Sequence, residues 1–162
     1  MSEYIIGHAL RNLARDKPLL SKLLWRLDYG MIWSLITLFR ALPIDTASRL
    51  GGRVGALLGR WMERKSGLYR ANLAVACPDT GVAELDAMVT KAWGNAGRVL
   101  AEYPHLDTIL QDHKRLEIVI REPIETYTNP AQPCVIVTAH LSNWEVVCSA
   151  MARLGIPNAS LY

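Results

Sequence analysis

The hydrophobic pattern of this 162-residue chain changes at Pro104. Before that proline, apolar residues recur every three or four positions, which is typical of α-helices. After it they come in short β-branched runs, first at residues 116–120 and then at residues 134–139. A helical stretch at residues 146–154 separates the second run from residues 157–162, which are predicted to start a further strand. The alternation of strand, helix and strand predicts an α/β fold, with a parallel or mixed sheet and flanking helices.

The first strongly apolar segment, residues 19–42, predicts a long helix that Pro43 ends. Its uncharged part, residues 29–39, has eleven residues. That is short of the roughly 20 residues that a bilayer crossing needs. The pattern leaves two interpretations open, a membrane-associated helix and a buried core helix.

Two further helices are predicted before Pro104. The first starts with Asp45 or Thr46 as its cap and runs to about Arg64. Small residues four apart lie on one of its faces and would let another helix, such as the preceding apolar one, approach closely. They are Gly51, Gly55 and Gly59. A second long helix is expected over residues 82–103.

The charge of the chain is divided unevenly. Residues 1–70 carry twelve Lys and Arg against five Asp and Glu, whereas residues 71–162 carry six against ten, so charges of +7 and −4 give the net +3. A basic, apolar front half indicates an anionic partner, either a membrane surface or a nucleic acid. The tryptophans of the basic front half, Trp25, Trp33 and Trp61, stand next to Leu, Ile or Met, which favours lipid and argues against nucleic acid.

His140 and Glu145 stand where the second β-branched run meets a helix. On one continuous helix, five residues would turn their side chains roughly 140° apart. The sequence favours another arrangement, in which the strand ends at Ala139 and Ser142 caps a helix that starts at Asn143. His140 would then lie at the carboxyl end of a parallel strand, where open α/β sheets bind ligands. Glu145 could reach back towards it.

The chemistry of this pair suits activation of a hydroxyl group. Imidazole titrates near neutrality and can take the proton of an alcohol, while a carboxylate on its other nitrogen fixes the tautomer. No protein nucleophile accompanies the pair, because Ser142 lacks a G-x-S-x-G context. Residues 142–145 also match the S-x-x-E capping box, so a purely structural role for Glu145 stays open. No metal site is expected, since only two candidate ligands are close in sequence and the three cysteines form no CxxC pair.

Three segments give the chain a resemblance to one family. The sequence AHLSNWE at residues 139–145, behind an apolar run, resembles the HxxxxD/E signature of bacterial lipid A biosynthesis acyltransferases of the lauroyl and myristoyl type. These are relatives of the glycerolipid and lysophospholipid acyltransferases. Residues 70–73, followed by the turn at residues 77–78, are similar to the family's R-x-N-L segment and proline turn. Asn95 and Glu102 stand where the family tends to carry Asn and Glu.

The resemblance implies an enzyme, an O-acyltransferase that moves a fatty acyl group to a hydroxyl of a lipid A precursor. The donor would be acyl carrier protein or acyl-CoA, and no cofactor is implied. His140 would be the general base and Glu145 its partner, with direct attack on the thioester and no acyl-enzyme. The expected place of the reaction is the cytoplasmic face of the inner membrane, so the membrane is a further expected partner.

The resemblance also implies an organisation for the chain. Residues 1–44 would form a membrane-anchor helix region, and residues 45–162 the N-terminal part of a glycerolipid-acyltransferase-like domain. Members of the family are usually longer, and a sheet of so few strands has bare edges, so we expect an incomplete sheet and a longer parent protein. Leu141 and Ser142 stand where many members have Phe and Gly.

Two other functions stay open at this point. One is an acyltransferase for another bacterial lipid, such as an ornithine lipid or a glycolipid. The other is a non-catalytic membrane-binding module, in which His140 and Glu145 serve only the turn and the helix cap.

Overall fold

The computed structural model describes Ala14 and residues 17–129, 131–132, 134–137 and 142–156. Two compact units divide between Pro43 and Ile44. The longer helices are α1 (Pro18–Arg40), α2 (Ile44–Trp61), α3 (Glu63–Ala76) and α4 (Val82–Glu102). A 3-10 turn (Tyr103–His105) leads to the short helices α5 (Leu106–Gln111), α6 (Glu125–Thr128) and α7 (Glu145–Arg153).

Helix α1 is the main element of the first unit. Pro18 occupies its first turn, where a missing N–H costs no helical hydrogen bond. Leu24 is buried together with Ala14, and Leu20 packs against them. Most other large apolar side chains of α1 are exposed, among them Leu19, Tyr29, Trp33 and Leu38. None of the helices in the described part of the chain is long and apolar enough to cross a membrane. The membrane helices of the predicted fold are therefore wrong as membrane-spanning segments.

The second predicted helix divides in two. Helix α2 starts at Ile44, so Asp45 lies in its first turn instead of capping it. It ends at Trp61, and α3 begins after Met62, which has non-helical backbone angles. A hydrogen bond holds the bend, because Ser66 Oγ donates to the Gly59 carbonyl at 2.8 Å.

Helices α2 and α4 form the closest helix contact in the second unit. The predicted glycine ridge on α2 faces a matching row on α4, made of Trp93, Gly97 and Ala101. A Cβ atom placed on Gly55 would meet the Trp93 carbonyl and lie 2.9 Å from the Gly97 Cα. Ala101 is fully buried in this contact region. The ridge is therefore confirmed as a surface for close helix approach, and its partner is α4 in place of the suggested preceding helix.

The predicted sheet is wrong for the described part of the chain. Residues 116–120 and 134–137 follow irregular paths and form no strand. Their apolar side chains lie largely in solvent, with Val119 68% and Val135 90% exposed. A β-branched run becomes a strand only where a neighbouring strand takes its backbone hydrogen bonds and its side chains are half buried. Residues 138–139 and 157–162, the rest of the predicted strands, lie outside the described residues.

An exposed ionic cluster ties the start of α2 to the segment after α5. Arg115 donates from both terminal nitrogens to the Asp45 carboxylate, at 2.7 and 2.9 Å, and from Nε to Asp112 at 3.1 Å. The hydrogen bonds from Arg115 lower the pKa of the Asp45 carboxyl. The same pairing raises the pKa of the Arg115 guanidinium. Because bidentate geometry fixes direction as well as distance, this contact orients residues 112–116 against α2.

Candidate active site

The two residues predicted to act together differ in how far the structure describes them. His140 lies outside the described residues. Glu145 is the first residue of α7 and is half-buried. The predicted helix over residues 146–154 is confirmed, but it starts at Glu145 and not at the predicted Asn143. The pairing of His140 with Glu145 stays a prediction.

The turn before α7 differs from the predicted cap. Ser142 has a φ of 48°, in the left-handed backbone region that residues other than glycine seldom adopt. The residue that caps α7 is Trp144, which makes no side-chain capping bond. Ser142 is therefore not the N-cap, because its backbone turns the chain three residues before the helix begins.

Asn143 connects this turn to the helices of the second unit. Its Nδ2 donates to Glu102 Oε2 at 3.0 Å. The other carboxylate oxygen of Glu102 accepts a hydrogen bond from Ser48 Oγ at 2.7 Å. All three side chains are half-buried. The Glu102 carboxylate thus forms a bridge, made of Ser48, Glu102 and Asn143, that joins the start of α2, the end of α4 and the turn before α7.

One atom of this bridge lacks a partner within the described part of the chain. Asn143 Oδ1 is buried and accepts no hydrogen bond there. A buried amide oxygen without a donor is uncommon in folded proteins. The bond to Glu102 is therefore the one side-chain hydrogen bond that the described residues provide to the Asn143 amide.

The glycine contact between α2 and α4 places the other two members of the bridge. Ser48 lies three residues before Gly51, and Glu102 directly follows Ala101. A Cβ placed on Gly51 would lie 2.5 Å from the Ala101 Cβ. Since backbones this close leave little room for sliding, Ser48 and Glu102 meet at a fixed position.

A polar cleft of about 500 Å³ opens between α2, α3 and α4. Arg70, the arginine of the R-x-N-L segment, lines it and donates from Nε to Asp86 Oδ1 at 2.6 Å. Trp93 forms another wall, donates from Nε1 to Ser66 Oγ at 2.9 Å, and packs on Tyr69 with ring centres 5.5 Å apart. Arg70 therefore holds α3 against α4 in this structure.

An apolar cavity of about 360 Å³ that is open to solvent lies beside α7. The irregular residues 119–121, helix α6 and the end of α7 contribute to its wall. Its apolar lining consists of Val119, Ile120, Ile124, Ile136, Met151 and Ile156. Arg121 and Tyr127 add polar groups at this wall. Such a lining suits a hydrocarbon chain better than a polar ligand.

Sequence reasoning identified Glu102 only through the family resemblance and gave it no role. Its partners are distant in sequence, since 54 residues separate it from Ser48 and 41 from Asn143. Asn143 itself was expected only to start the helix. The sequence did contain one signal, a glutamate at the end of a helix with an apolar stripe. A carboxylate that becomes half-buried there needs a hydrogen-bond partner.

In this structure the pair of helices α2 and α4 holds the turn before α7 through the hydrogen bond between Glu102 and Asn143. Comparison with known families identifies the class of protein that carries this turn. Residues 19–162 match the family model described as bacterial lipid A biosynthesis acyltransferase. The chain belongs to this family of acyltransferases. Comparison with curated proteins gives no significant match, and neither does comparison with solved structures.

Proposed function

We propose that this chain carries out O-acyl transfer to a lipid A precursor, with acyl carrier protein as the donor. The match to the acyltransferase family over residues 19–162 is the observation that carries this proposal. The matched range includes the AHLSNWE segment with both His140 and Glu145. The placement of Glu145 in the first turn of α7 supports its assigned part, because a side chain there can reach a group that precedes the helix.

The proposed reaction is a direct substitution at the thioester carbonyl. The His140 imidazole takes the proton of the acceptor hydroxyl as its oxygen attacks the carbonyl carbon. The tetrahedral intermediate then collapses, the carbon–sulfur bond breaks, and the proton passes to the leaving thiolate. The products are an ester on the lipid and a free thiol on the carrier. Glu145 stabilises the imidazolium that forms between these steps.

The apolar cavity beside α7 supports a fatty acyl donor. Its aliphatic side chains offer a surface for part of the hydrocarbon chain, with a gain of roughly 0.8 kcal/mol for each methylene that the contact buries. Acyl-CoA carries the same thioester and chain, so it is the alternative donor. A competition assay with both donors at equal concentration separates them.

We place the reaction at the cytoplasmic face of the inner membrane. Helix α1 supports this placement, because it exposes large apolar side chains that include Leu19, Trp25 and Trp33. Lys22, Arg26 and Arg40 lie on the same helix and can interact with anionic headgroups. Replacing Leu19 and Trp33 by serine in the full-length protein should shift it from the membrane to the soluble fraction, and unchanged sedimentation with membranes would refute this attachment.

The catalytic assignment is tested with two variants of the full-length protein, His140→Ala and Glu145→Gln. Transfer from acyl carrier protein should fall by about 10² to 10⁴ in His140→Ala. Glu145→Gln should lower kcat less, because the amide can still orient the imidazole but cannot balance its charge. His113→Ala and Glu122→Gln, both at exposed positions, are the matched controls and should keep full activity.

Full turnover by both His140→Ala and Glu145→Gln would eliminate the proposed mechanism. The acceptor is tested separately by mass spectrometry of lipids from cells with and without the gene. An altered acylation of lipid A supports the proposal. An unaltered lipid A together with a change in ornithine lipids or glycolipids would move the activity to another bacterial lipid.

A further inference from the structure

We infer that Glu102 is a positioning residue for acyl transfer, which acts by holding Asn143 and so fixes the turn that leads into α7. This inference rests on the proposed function, because the turn matters for the reaction only if Glu145 acts there. Glu102 itself is not required to touch substrate. Its carboxylate is the link between the helix pair and the motif.

The geometry gives each oxygen of Glu102 a separate task. Oε1 accepts from Ser48 on α2 at 2.7 Å, and Oε2 accepts from Asn143 at 3.0 Å. The first bond limits rotation of the carboxylate, so the second oxygen keeps its direction. Hydrogen bonds to a charged acceptor are about twice as strong as those between neutral groups. The bridge is therefore strong enough to set the position of the turn.

The anchored residue is close to the proposed chemistry. Asn143 lies two positions before Glu145, and Ser142 on its other side has the left-handed backbone. A shift of Asn143 would change the direction in which the first turn of α7 presents Glu145. A misplacement of about 1 Å in a reacting group can reduce a rate about 10²-fold. Loss of the bridge should consequently reduce kcat more than it weakens substrate binding.

Single variants separate the hydrogen bonds from the charge. Glu102→Ala removes both bonds and should lower kcat about 10²-fold, with the KM for the acyl donor within about twofold of wild type. Glu102→Gln should retain most activity, since its oxygen can face Asn143 while its amide donates to Ser48, whose hydroxyl also accepts. Glu84→Ala, an exposed glutamate on the same helix, is the matched control and should behave as wild type.

The decisive comparison exchanges the donor and the acceptor between positions 102 and 143. Asn143→Asp places two carboxylates face to face, so its activity relative to wild type should be low at pH 8 and should rise as the pH is lowered and one of them is protonated. In the double variant Glu102→Gln/Asn143→Asp, the new amide can donate to the new carboxylate while its oxygen still accepts from Ser48. The double variant should therefore recover kcat at least tenfold over Asn143→Asp alone.

Two results would overturn the inference. One is a Glu102→Ala protein that folds and keeps the wild-type kcat. The other is a double variant no more active than Asn143→Asp although its thermal unfolding matches wild type, because a restored bond should restore the turn. This second comparison also decides the matter if Glu102→Ala does not fold.

Hydrogen exchange distinguishes a failure of this inference from a failure of the proposed function. Retained activity in His140→Ala would refute the proposed base and leave the bridge to be tested by exchange. Backbone amides of residues 142–147 should then exchange faster in Glu102→Ala than in Glu84→Ala. Equal exchange in the two variants would refute the bridge even if His140→Ala is inactive.

Discussion

The helix pair α2–α4 and the segment after α5 use their apolar residues in different ways. Along α2 and α4, Val99 and Ala101 are buried, and glycines let the two backbones touch. Along residues 116–137, Val135 and Val137 are both 90% exposed. A helix satisfies its own backbone hydrogen bonds, so two helices can build a core between themselves. An extended segment needs a neighbouring strand before its side chains are buried.

The difference predicts a large penalty for added volume in the helix pair. Gly97→Ala would place a methyl group against the Gly51 carbonyl oxygen, which backbone atoms cannot avoid by rotating a side chain. We expect a loss of about 3 kcal/mol in the free energy of unfolding, measured by urea denaturation with circular dichroism.

The control for Gly97→Ala is Gly67→Ala on α3. A Cβ there meets no other atom within 4 Å, so replacing a helical glycine should stabilise the protein by about 0.5–1 kcal/mol. Equal effects of the two substitutions would show that the contact between α2 and α4 is looser than the structure describes.

Removing volume sharpens the same comparison at a smaller scale. Val99→Ala empties space at a side chain that is 2% exposed and should cost about 2 kcal/mol. Val135→Ala removes the same atoms from solvent and should change the free energy of unfolding by less than about 0.5 kcal/mol. Both values come from one denaturation series. A cost for Val135→Ala as large as that of Val99→Ala would mean that residues 134–137 have a packing partner in solution.

The smallest expected effect concerns the contact between the two regions at Asp45 and Arg115. Because the pKa of Asp45 is lowered in the folded protein from its ordinary value of 3.8, this pair stabilises the fold above pH 3.8. The contribution is lost as the pH falls through the lower folded pKa. Thermal unfolding at pH 5 and at pH 3 should therefore show a smaller acid-induced decrease in Arg115→Ala than in wild type. An equal acid-induced decrease in the two proteins would contradict the pairing. So would a difference between them that added salt does not reduce.

The helices could be predicted from the sequence because their signals are local. Pro43 and Pro104 marked the ends of two apolar patterns, and α1 and α4 end within a few residues of them. Sequence reasoning missed the break at Met62, since the bond from Ser66 to Gly59 joins residues seven apart and no helical periodicity indicates it. The predicted strands that fall within the described residues, 116–120 and 134–137, failed for a different reason. Local β-branched composition does not supply the neighbouring strand on which a sheet depends.

Sequence reasoning found the motif of the candidate site but not the residues that hold it in place. The motif placed Glu145 in the first turn of a helix, which the structure confirms, although that helix starts at Glu145 and not at the predicted Asn143. The link from Glu102 to Asn143 spans 41 residues, and no periodicity in the sequence indicates it. The partner of the α2 glycines was equally hidden, because a row of small residues predicts close approach without naming which helix approaches.

Ser142 gives the loop before α7 a property that glycine would not. Its left-handed backbone carries a steric penalty of roughly 1–2 kcal/mol for a residue with a Cβ. That same Cβ narrows the range of conformations open to the loop, whereas glycine would move freely among them. Serine therefore makes this turn stiffer than glycine would. Loop stiffness can thus be adjusted at one position while His140 and Glu145 stay unchanged.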